Sequence, residues 1–271
     1  MSFYPPLDQV EAIMRETADA LILPRFRSLG DDEVSEKKGP DDLVTIADRE
    51  AEVRLTSRLE ALVPGSKVVG EEAVSQGLTS VDILREDRDL WLVDPVDGTL
   101  NFVEGLERFG VMVAFIRGGE VRQSWILLPV SGHCAVASKG DGATFDGHPM
   151  RPRRNVPFAE AYGDYSRIYV DEEFRPILDN GVKGSAGTIQ GRCSAWGYTD
   201  LARGEIDYYV QYVMTPWDHA AGQLIVEEAG GRFAFMPGGE PYTPLPHKDQ
   251  PMLAVADADM WQDYAARLMA N

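Results

Sequence analysis

Cysteine is scarce: only Cys134 and Cys193 occur among 271 residues. Two thiols are too few for a disulfide framework, and their scarcity favours a reducing cytoplasm in which both are ordinary buried side chains. Long apolar runs are also absent, so no segment is expected to cross a bilayer. The start of the chain, Met-Ser-Phe-Tyr-Pro-Pro-Leu, lacks the charged and apolar regions of a signal peptide. The sequence thus predicts a cytoplasmic protein.

Basic residues are few for a chain of this length. Lysine and arginine number 26 against 44 aspartates and glutamates, which gives a formal net charge of −18. A surface of this sign repels nucleic acid and anionic lipid, so neither is an expected partner. It suits a protein that collects divalent cations. The hydrophobic share of 44% is that of a globular protein.

Sequence motifs of several common chemistries are missing as well. There is no Gly-x-x-x-x-Gly-Lys-Ser/Thr loop, no Gly-x-Ser-x-Gly elbow and no glycine cluster with dinucleotide-binding spacing. Neither cysteine is followed six positions later by the arginine with which a cysteine phosphatase holds phosphate. The four histidines are scattered without paired metal-ligand spacing. Oxygen ligands remain, and they suit hard cations such as Mg²⁺.

The hydrophobic pattern predicts a mixed α/β protein. An amphipathic helix is predicted over residues 7–27, a mobile polar surface loop over 28–42, and a second helix over 45–62. The turn-rich segment 109–145 has the pattern of an antiparallel meander. Further strands are predicted at 67–69, 90–93, 162–165, 206–210, 233–235 and 253–256, and further helices at 171–178, 194–203, 219–229 and 259–270.

A basic segment with two prolines at 149–154 predicts a boundary near residue 150. The first lobe, 1–150, is predicted to contain the antiparallel sheet, and the second lobe, 151–271, to be α/β. Together the two lobes are long enough to bury a sizeable core.

The stretch 91–103 carries the most distinctive residues of the chain. Pro95 cannot extend a sheet ladder, so the preceding strand is expected to stop where Asp94 and Asp97 begin. Two carboxylates held close together repel each other unless a cation or proton lies between them. The residues after them suit a helix start, whose unpaired backbone N–H groups favour an anion. The spacing alone leaves open a metal and phosphate site or an aspartate-rich turn that caps a helix.

Four acidic signatures stand at predicted strand ends or helix starts. They are Asp-Asp-Leu-Val-Thr-Ile-Ala-Asp at 41–48, Gly-Glu-Glu at 70–72, Asp-Pro-Val-Asp-Gly-Thr at 94–99 and Pro-Trp-Asp-His-Ala-Ala-Gly at 216–222. A helix cap or a turn would explain each one alone. In this order and together, with Glu-Ala-Gly-Gly at 228–231, they resemble the inositol monophosphatase family of Mg²⁺-dependent, lithium-sensitive sugar and polyol phosphatases. The resemblance covers nearly the whole chain.

The resemblance implies a layered α-β-α-β-α sugar-phosphatase-like fold and a homodimer. It also implies two or three Mg²⁺ ions in the active site, with most of their ligands in the first lobe. The implied metal ligands are Glu71, Asp94, the carbonyl of Val96, Asp97 and Asp218. The implied phosphate-binding residues are Asp97, Gly98 and Thr99.

Further roles follow from the same resemblance. Asp48 matches an aspartate that serves the outer shell and the third metal, and Lys37 or Lys38 matches a lysine on a mobile loop near the site. Glu71, Thr99 and Asp48 are the implied catalytic residues. Two metals can bind the attacking and leaving oxygens of a phosphate ester together. We therefore expect Glu71 and Thr99 to orient a water for in-line attack, without a phosphoenzyme.

The sequence departs from the family pattern at positions that would select the substrate. Arg192, Cys193 and Ser194 stand in place of a Gly-Ser/Thr-Ala stretch, and Gln211 stands where many inositol phosphatases have glutamate. Arg192 either grips a second anionic group of the substrate by bidentate hydrogen bonds or faces solvent. We expect Arg192, Ser194 and Gln211 to determine specificity.

Three kinds of function stay open at this point. The first is hydrolysis of a small phosphate monoester, such as an inositol phosphate-like polyol or a sugar phosphate. The second, within the same superfamily, is hydrolysis of histidinol phosphate or of a sugar or nucleotide bisphosphate. The third is a non-catalytic relative that binds metal or a protein partner. An inactive relative would be expected to have lost an acidic ligand or Thr99, and none is missing.

Overall fold

The computed structural model describes residues 4–30, 33–39 and 42–270, without the side chains of residues 37–39 and 42. Within these ranges, no helix combines the length and the apolar character that a membrane crossing requires. The helices are α1 (Leu7–Thr17), α2 (Ile46–Leu62), α3 (Glu71–Ser75), α4 (Thr99–Val103), α5 (Arg175–Gly181), α6 (Ser194–Arg203), α7 (Pro216–Glu228) and α8 (Trp261–Leu268). The strands are β1 (Val34–Gly39), β2 (Asp42–Thr45), β3 (Lys67–Gly70), β4 (Leu90–Asp97), β5 (Gly110–Arg117), β6 (Glu120–Leu128), β7 (His133–Ser138), β8 (Gly142–Phe145), β9 (His148–Pro149), β10 (Tyr162–Tyr165), β11 (Gly187–Ile189), β12 (Tyr208–Gln211), β13 (Arg232–Phe235) and β14 (Met252–Val255).

The strands form two large sheets and one hairpin. The seven-stranded sheet has the order β3-β4-β5-β6-β7-β8-β9, in which β3 and β4 are parallel and every other pair is antiparallel. The predicted antiparallel meander is therefore confirmed. The five-stranded sheet has the order β11-β10-β12-β14-β13, with β11, β10 and β12 parallel and the remaining pairs antiparallel.

Alternating side chains of the seven-stranded sheet enter two different cores. Trp91 and Val113 pack with α1 and α2, whereas Leu92 and Met112 pack with α6 and α7. The core around α6 and α7 also contains Phe233 from the five-stranded sheet, and α5 and α8 cover the opposite face of that sheet. The chain thus has five layers in the order α-β-α-β-α, which confirms the predicted fold class.

The polar segment 28–42, predicted as a mobile surface loop, contains β1 and the first residue of β2, so the prediction of a loop without strands was wrong. Its mobility stays a prediction. β1 and β2 are antiparallel, with Val34 opposite Thr45 and Glu36 opposite Leu43. Backbone hydrogen bonds hold such a pair together, and its polar residues lack the apolar alternation that identifies a strand in a sequence. Residues 31–32 and 40–41 of this segment lie outside the described part of the chain.

The first helix is shorter than predicted. α1 ends at Thr17, and a π-helical turn over Ala18–Ile22 and a 3₁₀ turn over Leu23–Arg25 complete most of the predicted span. Ala18 and Ile22 are both buried and four residues apart. Because this spacing resembles that of an α-helix, the sequence pattern did not reveal the change in hydrogen bonding.

Strand β4 continues past Pro95, where the sequence predicted its end. Asp94 pairs with Met112 and Asp97 pairs with Gly110, so two residues of β4 oppose one residue of β5 between these pairs. A β-bulge of this kind leaves a residue unpaired, and it therefore accommodates a proline that has no N–H to donate.

Candidate active site

The bulge in β4 places Asp94 beside a tight turn. The residue is 2% exposed, and its Oδ1 accepts a hydrogen bond from the backbone N–H of Val96 at 3.0 Å. α4 begins directly after Gly98, whose φ of +81° lies in the left-handed region. A Cβ at this position would lie 3.0 Å from the carbonyl oxygen of Arg108 and from the Cβ of Cys193. Both the conformation and the space therefore require glycine.

Three carboxylates converge next to this turn. Glu71 follows β3, Asp94 lies in the neighbouring parallel strand β4, and Asp218 lies in the first turn of α7. One oxygen from each of the three lies within 4.8 Å of the other two. Oδ2 of Asp218 also accepts a hydrogen bond from the hydroxyl of Thr215. The structure thus brings together three of the four predicted carboxylate ligands.

This cluster is electrostatically unfavourable as three bare carboxylates. Burial raises the pKa of both Asp94 and Asp218 well above the usual range, and the nearby charge of Glu71 raises each pKa further. A hard cation bound between the oxygens would remove the repulsion, because carboxylates are preferred ligands of such ions. The all-oxygen donor set therefore fits a divalent cation such as Mg²⁺.

The fourth predicted ligand, Asp97, has different neighbours. Its Oδ1 accepts from the backbone N–H of Ser194 at 3.2 Å, and its Oδ2 accepts from the backbone N–H of Ala195 at 2.7 Å and from the Cys193 thiol at 2.8 Å. Burial raises the pKa of Asp97 to about 6, although these three hydrogen bonds oppose that shift. Asp97 therefore holds the N-terminus of α6 beside the carboxylate cluster.

Asp48 connects the start of α2 with the turn after β4. Its Oδ2 accepts from the backbone N–H of Thr45 at 2.9 Å and from the Thr45 hydroxyl at 2.5 Å, which completes a capping box. Its Oδ1 lies 3.2 Å from the hydroxyl of Thr99, which also lies 3.0 Å from the carbonyl oxygen of Val96. Burial raises the pKa of Asp48 to about 7. The predicted catalytic residues Asp48 and Thr99 are therefore in direct contact.

Glu52 is a buried acidic residue whose role the sequence did not reveal. Its two oxygens accept from the backbone N–H groups of Glu72 and Ala73, each at 2.7 Å. These bonds hold the first turn of α3, which begins at Glu71. Burial raises the pKa of Glu52 to about 7. The available signal was its position four residues after Asp48, which places two acidic side chains on one face of α2.

A second set of polar contacts that the sequence did not reveal holds residues 191–193 against the site. The side-chain amide of Asn101 donates to the carbonyl oxygens of Arg108 and Gly191 at 2.7 and 2.9 Å. The backbone N–H of Gly191 donates in turn to Oδ1 of the buried Asp164 at 2.9 Å. Burial raises the pKa of Asp164 to about 6. These contacts join the turn after β4 to residues of the C-terminal half.

Arg192 pairs with an acidic side chain that the sequence did not single out as its partner. Its guanidinium pairs with the carboxylate of Glu104, with 2.6 Å between Nη2 and Oε2, and its φ is +52°. Glu104 directly follows α4, so this ion pair links the end of α4 with the residues that precede α6. Both side chains are partly exposed, at 23% for Arg192 and 44% for Glu104.

The other two predicted specificity residues lie side by side in a buried polar group. The Ser194 hydroxyl lies 3.5 Å from the amide nitrogen of Gln211 and 3.4 Å from the hydroxyl of Tyr209. Gln211 also contacts the Tyr209 hydroxyl directly. The sequence did not single out Tyr209, because a tyrosine in a β-strand is usually a core residue. The backbone of Lys37 and Lys38 lies in β1, but the side chains of these predicted loop residues lie outside the description.

Comparisons with known proteins agree with this fold. The model of the inositol monophosphatase family matches residues 7–269. A Thermotoga maritima protein named fructose-1,6-bisphosphatase/inositol-1-monophosphatase is 31% identical over 215 residues, which are 77% of each chain. A Vibrio cholerae protein named Nus factor SuhB is 30% identical over 212 residues, which are 76% of each chain.

A solved structure gives the same result for the fold. A Thermotoga maritima IMPase aligns with a TM-score of 0.81 at 24% identity, over 97% of this chain and 96% of that one. The family match spans all five layers and every predicted site residue described above. The chain therefore belongs to the inositol monophosphatase family of phosphoric monoester hydrolases.

Proposed function

We propose that the protein is an Mg²⁺-dependent phosphatase that hydrolyses a small phosphate monoester, such as an inositol phosphate-like polyol or a sugar phosphate. The observation that carries this proposal is the convergence of Glu71, Asp94 and Asp218 beside the turn at Gly98 and Thr99. The name of the Thermotoga maritima relative supports sugar bisphosphates as a second substrate class within the same chemistry. Histidinol phosphate is a further alternative.

Two sets of residues would hold the ions and the phosphate. Two or three Mg²⁺ ions would take their ligands from Glu71, Asp94, the carbonyl of Val96, Asp97 and Asp218. Bound there, Mg²⁺ would supply the positive charge that a phosphate dianion needs to enter an acidic site. The backbone N–H groups of Gly98 and Thr99 would donate to the phosphate oxygens, since such groups at the start of a helix attract anions.

The proposed role of Thr99 follows from its contact with Asp48. The Asp48 carboxylate would accept the Thr99 hydroxyl proton, which leaves an oxygen lone pair of Thr99 free to accept from a water molecule. Glu71 would accept from the same water, and the two contacts would orient it for in-line attack on phosphorus. The leaving alkoxide would take a proton from a second water held near Asp218, so that the products are an alcohol and inorganic phosphate. No phosphoenzyme is required.

A panel of phosphate esters tests the proposal directly. Phosphate release from inositol monophosphate, sugar phosphates, histidinol phosphate and fructose 1,6-bisphosphate should require Mg²⁺ and should stop in EDTA.

Thr99→Val should lower kcat about a hundredfold, because the hydroxyl that orients the water is lost. Thr144→Val is the matched control, since the Thr144 hydroxyl contacts only the carbonyl of Val136 in β7 among the described residues. If no ester in the panel releases phosphate in the presence of Mg²⁺, the proposed activity would be excluded, and the protein would instead be a non-catalytic relative that binds metal or a partner.

Substrate choice depends on whether Arg192 can exchange Glu104 for an anionic group of the substrate. If it does, Arg192→Ala should lower kcat/KM for fructose 1,6-bisphosphate about tenfold, because roughly one charged hydrogen bond is lost. The kcat/KM for monophosphates should stay unchanged. Arg203→Ala is the control, because Arg203 ends α6 and contacts Glu205 and the ring of Phe145. An unchanged order of substrate preference would exclude a selective role for Arg192.

The remaining predictions about the whole molecule stay proposals. A division into lobes 1–150 and 151–271 is supported by the sheets, since the seven-stranded sheet ends at Pro149 and the five-stranded sheet begins at Tyr162. We also propose a lithium-sensitive, cytoplasmic homodimer whose partner is a small phosphorylated metabolite. The net charge of −18 supports the absence of a nucleic-acid partner.

A further inference from the structure

We infer that the hydrogen bond between Tyr198 and His219 is a positioning device that fixes Asp218 in the carboxylate cluster. The inference rests on the proposed function only in that Asp218 is taken as a ligand of the metal. His219 directly follows Asp218 in the first turn of α7, and Tyr198 lies in the middle of α6. Neither residue touches the reacting groups, so both would act through the placement of Asp218.

The contacts of His219 determine which ring nitrogen carries the proton. Nε2 lies 2.6 Å from the backbone carbonyl oxygen of Val213, and Nδ1 lies 2.7 Å from the Tyr198 hydroxyl. A carbonyl oxygen can only accept, so Nε2 carries the hydrogen. In the neutral imidazole Nδ1 has no hydrogen and therefore accepts from the Tyr198 hydroxyl. The imidazole is 1% exposed. Both nitrogens are therefore satisfied in a single tautomer and a single ring orientation.

Two hydrogen bonds connect the residues before α7 with its first turn, which carries Asp218. The Nε2 bond returns from His219 to Val213, six residues earlier, and the Thr215 hydroxyl bonds to Oδ2 of Asp218. The residues that precede α7 are thus tied to its first turn by two hydrogen bonds, each of which spans Trp217. The hydrogen bond between the Tyr198 hydroxyl and His219 connects this first turn of α7 to α6.

The two helices are also held at an unusually close distance. A Cβ on Gly222, one turn after Asp218, would lie 1.9 Å from the ring of Tyr198. Glycine in a helix interior is less favourable than alanine, so the ring contact explains its presence here. The N-terminus of α6 is in turn bonded to Asp97 through Ser194 and Ala195. Tyr198 therefore connects the helix that Asp97 holds with the helix that carries Asp218.

Tyr198→Phe isolates the hydroxyl, because the ring that packs on Gly222 is retained. We expect this variant to bind Mg²⁺ about tenfold more weakly than the wild type, as measured by calorimetry with Mg²⁺ alone. Removing a hydrogen bond that orients a metal ligand typically weakens metal binding by about this factor. Tyr242→Phe is the matched control. The Tyr242 ring centroid lies 6.2 Å from that of His219, and its buried hydroxyl has no hydrogen-bond partner among the described residues. This control should bind Mg²⁺ as the wild type does.

A spectroscopic measurement tests the same inference without any loss of a side chain. Nitrogen-15 chemical shifts of His219 in the wild-type protein should show hydrogen on Nε2 and an accepting Nδ1, and Tyr198→Phe should move the Nδ1 shift. Wild-type Mg²⁺ affinity in folded Tyr198→Phe, an equal loss in Tyr242→Phe, or hydrogen on Nδ1 in the wild type would overturn the inference. None of these measurements requires turnover. If the wild-type protein has no phosphatase activity, that result would contradict the proposed function but not this inference.

Discussion

Asp94→Asn is expected to lower kcat/KM about a thousandfold at saturating Mg²⁺, a loss typical of removing a charged group that stabilises the transition state. Asp94 lies between Glu71 and Asp218, and asparagine would remove the charge that the proposed ions require. The change in shape is small. An amide oxygen can still accept from the backbone N–H of Val96. Steady-state kinetics over a series of Mg²⁺ concentrations would measure the loss.

The same substitution should raise the free energy of unfolding in EDTA at pH 7. Burial raises the pKa of Asp94 above its ordinary value of 3.8, so the folded protein holds this proton more tightly than the unfolded chain does. The ionised carboxylate therefore lowers stability as the pH rises above 3.8, and asparagine removes that cost. The stability advantage of Asp94→Asn should shrink as the pH falls towards 3.8. Urea unfolding at several pH values would measure it.

Asp89→Asn is the control for both measurements. Asp89 directly precedes β4 and pairs with Arg117, so its replacement changes an aspartate close in sequence but outside the cluster. It should leave turnover unchanged and should not raise the free energy of unfolding in EDTA. Near-wild-type turnover in Asp94→Asn would remove Asp94 from the active site. Lower stability of Asp94→Asn in EDTA would contradict the electrostatic account.

Glu52→Gln is expected to lower kcat/KM about a hundredfold, although Glu52 contacts no proposed substrate or ion. Both of its oxygens accept from backbone N–H groups at the start of α3. Glutamine has one accepting oxygen, so its NH₂ group would face a second donor and α3 would shift. Because Glu71 begins α3, the shift would displace this ligand, and a misplacement of about 1 Å can cost a hundredfold in rate.

Stability should fall together with activity in this variant. Leaving a buried N–H without an acceptor costs about 1–3 kcal/mol, which urea unfolding would detect. Glu50→Gln is the matched control on the same helix, because Glu50 is partly exposed and pairs with Arg25. Its effects on activity and stability should both be small. A Glu52→Gln protein with wild-type Mg²⁺ affinity and turnover would show that α3 does not depend on this cap.

The sequence by itself determined the fold class, and it predicted the three carboxylates that the structure brings together. Apolar periodicity located α2, α6, α7 and the meander, since each of these elements buries a regular stripe of side chains. The Thr45–Asp48 capping box is local, because its donor and acceptor are three residues apart in the chain. The order of the four acidic signatures identified the family, and the family match over residues 7–269 confirmed it.

Only the tertiary structure decided which of these groups touch. The partners of Asp97 lie 96 to 98 residues away in sequence, and those of Glu52 lie 20 and 21 residues away. The pairing of Arg192 with Glu104 and of Tyr198 with His219 likewise depends on how separate elements pack. A residue's type limits the bonds that it can form, whereas the partner that it meets depends on chain segments that approach only in the folded state.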